Sequence, residues 1–162
     1  MYSQMLYMHR LMSRKTQSPA KSLVADARAA VAACAGCNSR LAARRITQFL
    51  DKRMKACGLG VAQFALMAQV AGARDDTLGG LAERTGLEQS TLSRNLRALE
   101  KQGLVEIATV DGDLRRRAVW LTEQGARRLE SALPVWREAH EALALTLDPG
   151  LAARLAISAR SL

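Results

Sequence analysis

Apolar residues recur at helical spacing over most of the chain. No proline interrupts the stretch from Ala25 to Ala56, and Ala42, Ile46, Phe49, Leu50 and Met54 fall at i, i+4, i+7, i+8 and i+12. That is one face of a helix, with Gly36 expected to interrupt it and Gly58 and Gly60 to end it. Phe64, Met67, Ala68 and Ala71 repeat the pattern as far as Gly72. Beyond it the elements shorten. Thr77 is placed to cap a helix that buries Leu78, Leu81 and Ala82. Thr85-Gly86-Leu87 reads as a tight turn, and a helix from about Glu88 to Gln102 buries Leu92, Leu96 and Leu99, with Gly103 just past its end.

The period then changes from 3.6 to 2. Val105 to Val110 alternates with β-branched residues, Asp111-Gly112 is a two-residue hairpin signal, and a return strand runs from about Arg116 to Leu121. Thr122-Glu123 starts a long helix. Its apolar seam is Ala126, Leu129, Leu133, Trp136, His140, Leu143 and Leu147, with Pro134 expected to kink it. Asp148-Pro149-Gly150 ends that helix, and a short last helix runs to Leu162. The fold class is therefore mainly α with a small β-hairpin wing: a winged helix-turn-helix flanked by N- and C-terminal helices. The expected divisions are a flexible basic tail (1–24), a long helix (25–57), a winged DNA-binding module (58–122) and C-terminal helices (123–162).

Composition agrees and adds a partner. Aromatic residues are only 4% against 49% hydrophobic, so the core is aliphatic and suits helices. The 162 residues carry a net charge of +9, which points to a polyanion. The excess is uneven. Residues 1–57 hold eleven Lys/Arg against two Asp/Glu, whereas 58–117 and 118–162 each balance. Local placement therefore argues for DNA better than bulk charge does. No apolar run of 18 residues exists, and residues 1–22 lack the apolar block of a signal peptide. Three cysteines without a secretory context suggest a reducing, cytoplasmic protein.

In a helix-turn-helix the second helix enters the major groove. With Leu92, Leu96 and Leu99 inward, the opposite face offers Gln89, Ser90, Thr91, Ser93, Arg94, Arg97 and Lys101. Arg94 suits a bidentate contact to guanine, and Arg97 and Lys101 suit phosphate. Arg115, Arg116 and Arg117, just past the hairpin turn, suit the minor groove.

The stretch from Thr77 to Val105, the wing Asp111-Gly-Asp-Leu-Arg115 and the exit Leu121-Thr-Glu-Gln-Gly125 resemble the MarR family of regulators. Arg40 to Asp51 and Gly58 to Phe64 resemble that family's first two helices. The resemblance spans about residues 30–147. It implies a homodimer whose N- and C-terminal dimerisation helices are those of 25–57 and 123–162, on a pseudo-palindromic operator, a repressor in the usual case, released by an effector. It carries base contacts onto Ser90, Ser93 and Arg94. It also carries a wing pair onto Asp113 and Arg115, the acid orienting the arginine. The run of three arginines leaves open which of them enters the groove.

By the same analogy Phe49, Phe64, Met67, Trp136 and His140 are candidates to line an effector pocket suited to a lipophilic or phenolic molecule, against a plain core role for each. Cys34, Cys37 and Cys57 have three readings: packing, a thiol redox sensor, or a metal site short of ligands. A peroxide-sensing branch of the family uses a cysteine that aligns near Gly36, coincident with none of the three. An enzyme is disfavoured, because no histidine lies near the cysteines and no nucleophile turn or phosphate loop is present. A protein-interaction module is a third reading. The expected partners are double-stranded DNA, a second copy of the chain and a small effector, with no catalytic residue, cofactor, metal or membrane.

Overall fold

A computed structural model describes residues 21–73, 77–110 and 113–159, with side chains throughout except at 21–22, 110, 113–116 and 149. The elements are α1 (Lys21–Ala33), α2 (Ala35–Met54), a 3₁₀ turn (Lys55–Cys57), α3 (Val61–Ala71), α4 (Leu78–Thr85), α5 (Gln89–Lys101), β1 (Val105–Val110), β2 (Asp113–Leu121), α6 (Glu123–Ala144) and α7 (Pro149–Ser158). The chain divides into two compact units between Arg44 and Arg45.

In the first unit the helical stretch is interrupted at Cys34, two residues before the glycine expected to do it. The Cys34 N–H donates to the Val31 carbonyl at 3.3 Å, and the Cys34 carbonyl accepts from the Asn38 N–H at 3.0 Å. One ladder ends and the next begins on the same residue. Asn38 fixes the break there, because its Nδ2 donates to the Ala32 carbonyl at 2.8 Å and so satisfies an open end of α1. Gly36 stays helical, a cost of only about 1 kcal/mol. Residues 21–24, assigned from sequence to the tail, are helical, and residues 1–20 lie outside the described residues. Leu23, Val24, Val31 and Leu41 of this unit are exposed.

The second unit has an aliphatic core. Met54, Met67, Leu81, Leu92, Leu96 and Leu99 are fully enclosed, joined by Phe64, Leu104, Val105, Val119, Leu129 and Ala132. Each such leucine contributes roughly 1.5–3 kcal/mol by leaving water. A smaller cluster gathers Leu50, Ala139 and Leu143, with Ile46, Phe49 and Leu147 packed on it.

The joints between elements are made by side chains. Asp51 Oδ1 accepts from Val61 N–H at 2.7 Å and Gln63 Oε1 from Gly60 N–H at 3.1 Å, so α3 starts capped. Thr77 Oγ1 accepts from Gly80 N–H at 3.2 Å, and the left-handed Gly86 ends α4 at φ 63°. Thr122 both accepts from Gly125 N–H at 2.9 Å and donates to the Gly103 carbonyl at 2.6 Å, tying the start of α6 to the end of α5.

β1 and β2 pair antiparallel from Val105↔Leu121 to Thr109↔Arg117, with an irregularity before Val110↔Asp113. The turn Asp111-Gly112 lies outside the described residues. β2 begins at Asp113 rather than near Arg116. Thr77 bridges to Ala118, which fixes the base of the wing to the start of α4.

One seam differs from its sequence pattern. The enclosed positions of α6 are Gly125, Leu129, Ala132, Ala139 and Leu143, while Ala126, Leu133, Trp136, His140 and Leu147 are half-buried. The small residues Gly125, Ala132 and Ala139 let neighbouring backbone approach, and a hydropathy pattern weighted to large side chains passes over them. Pro134 lies inside one continuous helix.

Candidate nucleic-acid interface

Helix α4, the turn at Gly86 and helix α5 form the helix-turn-helix. α5 begins at Gln89 after Glu88, whose side chain makes no cap. The Thr91 N–H turns back to the Glu88 carbonyl at 2.9 Å, and no Glu88 side-chain cap covers the positive end of the helix, a setting that suits a phosphate. Leu92, Leu96 and Leu99 face inward with no exposed surface. That orientation decides the rest. Ser90, Arg94, Arg97 and Lys101 lie along the middle of the opposite, exposed face, and Gln89 is exposed at the helix start. Thr91 and Ser93 flank that face and are half-buried. Arg94 Nε reaches back to the Ser90 carbonyl at 3.4 Å, so its guanidinium lies over the N-terminal turn. Asn95 and Ala98 are exposed on the same helix, outside the face that the leucine spacing marks. An asparagine there is a candidate reader of adenine. A helical wheel drawn on Leu92, Leu96 and Leu99 places Asn95 beside the buried stripe, so its exposure depends on what packs there and not on periodicity.

Arg117 is exposed on β2 opposite Thr109. Asp113, Arg115 and Arg116 belong to β2 by their backbone, and their side chains lie outside the described residues. The carboxylate–arginine wing pair therefore stays an expectation.

The effector candidates separate into two groups. Phe64 and Met67 are core, 4% and 0% exposed. Phe64 stacks on Trp136 with ring centroids 5.7 Å apart, and Trp136 meets His140 at 4.2 Å. His140 Nδ1 donates to the Trp136 carbonyl at 2.9 Å, which fixes the imidazole along its own helix. Phe49 stands apart from this stack, under the Arg53 guanidinium at 3.6 Å. Among the cysteines, Cys34 and Cys37 are neighbours on one turn, half-buried and exposed respectively. Cys57 belongs to the other unit, where its thiol donates to the Met54 carbonyl at 2.9 Å. Among the described residues no three of His, Cys, Asp and Glu gather as a metal site would need.

Comparison with known proteins fits this geometry. The MarR family model matches residues 58–116, from the start of α3 into the wing. The structure of the transcriptional regulator MosR of M. tuberculosis in complex with DNA is 31% identical, with a TM-score of 0.69 over 77% of this chain and 91% of that one. The chain belongs to the MarR family. The family's members compared with this chain are transcriptional regulators. An HTH-type transcriptional regulator of Bacillus cereus is 34% identical over 87 residues, and that match spans 57% of the relative's length. The structure of S. aureus MepR with DNA shares the fold at 21% identity and a TM-score of 0.67. Among the described residues no single helix is long and apolar enough to cross a membrane.

Proposed function

We propose that this MarR-family chain acts in the cytoplasm as a homodimeric repressor of a pseudo-palindromic operator, released by a small lipophilic or phenolic effector. The observation that carries the reading is the outer face of α5. Ser90, Arg94, Arg97 and Lys101 form a polar, basic stripe on the second helix of the motif, with a wing bearing Arg115 to Arg117 directly after it. Arg94 reads a guanine edge, the other cations fix register on phosphate, and the wing arginines enter the flanking minor groove. Two copies present two α5 helices to half-sites about one helical turn, roughly 34 Å, apart.

Exposed apolar residues support the dimer. Leu23, Val24 and Val31 on α1, and Leu151, Leu155 and Ile157 on α7, are at least one-third exposed. Val24 and Val31 share one face of α1, and Leu151 and Leu155 one face of α7, and an exposed apolar helix face of this kind suits an interface. The stack of Phe64, Trp136 and His140 supports an aromatic effector, because ring faces with one polar edge suit a phenol.

The test is a titration of labelled DNA from the chain's own upstream region, in reduced buffer, with and without a panel of phenolic acids. Tight binding, competed poorly by unrelated DNA and weakened by one panel member, is expected. Equal affinity for unrelated DNA would remove the operator reading, and indifference to every panel member would remove the effector.

A further inference from the structure

The break between α1 and α2 brings two thiols to one helix start. Cys34 is the residue on which α2 opens, since its carbonyl accepts from Asn38 N–H at 3.0 Å. Cys37 lies three residues on, inside the first turn. First-turn N–H groups have no partner within the helix and carry partial positive charge. The Cys37 N–H, the Cys37 thiol and then the Gly36 N–H favour a negative Cys34 sulfur, and they hold its pKa below the usual thiol value. Cys57 is built differently, since its thiol donates to the Met54 carbonyl and packs against the main core. The two sulfurs thus differ in setting: Cys34 faces N–H donors at a helix start, whereas Cys57 gives its hydrogen to a carbonyl.

We propose that Cys34 and Cys37 form a dithiol–disulfide couple within the α1–α2 joint, Cys34 attacking and Cys37 resolving, with a low-molecular-weight disulfide as oxidant. The Cys34 thiolate attacks one sulfur of the oxidant. The oxidant's S–S bond breaks and the first thiolate leaves. Cys37 then gives its proton to water and attacks the Cys34 sulfur, displacing the second thiolate. Two protein thiols become one disulfide, and the oxidant is reduced by two electrons to two thiols.

The joint can accommodate the change. Cβ atoms three residues apart on a helix are about 5–6 Å apart, whereas a disulfide needs about 3.5–4.5 Å, so the first turn must tighten. Gly36 lies between the two cysteines with open space around its Cα, and it can absorb the backbone adjustment. Closure draws the Cys34 sulfur off the N–H groups of α2, so the start of that helix changes with redox state.

The experiment equilibrates the full chain with glutathione buffers of increasing oxidised-to-reduced ratio, then quenches in acid, alkylates and maps the cysteines by mass spectrometry. An intrachain Cys34–Cys37 disulfide should build up while Cys57 stays alkylatable. Cys37→Ser should stop at a glutathione adduct on Cys34. Cys34→Ser should slow reaction at Cys37 at least tenfold. Serine is itself a good cap, and far-UV circular dichroism confirms that the variants fold. A disulfide between chains, a stable adduct in the unaltered protein, or Cys34 reacting no faster than Cys57 overturns the proposal. The readout is the sulfur itself, so the result stands whether or not the operator reading survives.

Discussion

Arg94 and Gly125 show how much a single position decides here. Arg94 is exposed at the middle of the outer face of α5, its guanidinium over the N-terminal turn. Its replacement by alanine removes nothing from the core, so stability should hold. Operator affinity should fall by roughly 1–3 kcal/mol, with specificity relaxed at one base position. Fluorescence anisotropy on a set of single-base operator variants measures both. An unchanged affinity would place the reading elsewhere on the surface. Gly125 is the opposite case, invisible to DNA and indispensable to the fold. A Cβ there would come within 1.9 Å of the Leu104 carbonyl oxygen, at the junction of α5, the wing and α6. Backbone on both sides cannot yield cheaply. Gly125→Ala should cost about 3 kcal/mol, at the upper end of overpacking effects. Urea unfolding gives the number, and a loss under about 0.5 kcal/mol, the usual limit for surface changes, would mean that the junction is softer than it looks.

Elements are held in register by caps. The start of α7 carries one that titrates. Asp148 Oδ1 accepts from Gly150 N–H at 2.9 Å, and Oδ2 accepts from Arg154 Nη2 at 2.7 Å. The Arg154 guanidinium first, and the Gly150 N–H second, hold the Asp148 carboxyl below the usual carboxylate range. A lowered folded-state pKa fixes the sign. The cap's contribution is complete above the unfolded pKa and is lost as pH falls through the folded one. The Asp148 carboxyl resonance should titrate with a midpoint below that of an aspartate in a peptide, and Arg154→Ala should move the midpoint upward. A midpoint that ignores Arg154 would show that the pair is open in solution, as many exposed ion pairs are.

At the scale of the whole molecule, the question is what covers the exposed apolar residues of the terminal helices. On the proposed dimer, Leu155→Glu combined with Ile157→Glu puts charge into an interface and leaves the core of the second unit untouched, since both side chains are more than half exposed. Sedimentation equilibrium should then report 17.6 kDa in place of twice that mass. Operator affinity should fall by a factor of roughly 100 or more, because the second half-site contact ceases to be intramolecular. If the double variant stays dimeric, α7 is not part of the interface. The net charge of +9 resides in residues 1–57 rather than in the winged module. Raising salt should therefore weaken binding with a slope set by the phosphates actually contacted, not by total charge.

The sequence by itself determined the local events. Leu92, Leu96 and Leu99 at helical spacing, Thr77 and Thr122 as caps, and Gly86 and Gly103 after helix ends all express short-range rules, and the structure keeps each of them. The outward face of α5, proposed to meet DNA, follows from the same periodicity. The tertiary structure decided what depends on residues distant in sequence. The small-residue line of α6 is enclosed because Leu104 comes within van der Waals distance of Gly125, 21 positions away. The N–H at the start of α3 is capped by Asp51, ten residues earlier, and the stack of Phe64 on Trp136 joins residues 72 apart. No spacing rule reaches so far along a chain. The helix break fell at Cys34 rather than Gly36 because a capping hydrogen bond from Asn38 outweighs the modest helix cost of one glycine. Periodicity is set by the geometry of consecutive residues, whereas packing is set by which surfaces fit once they are formed.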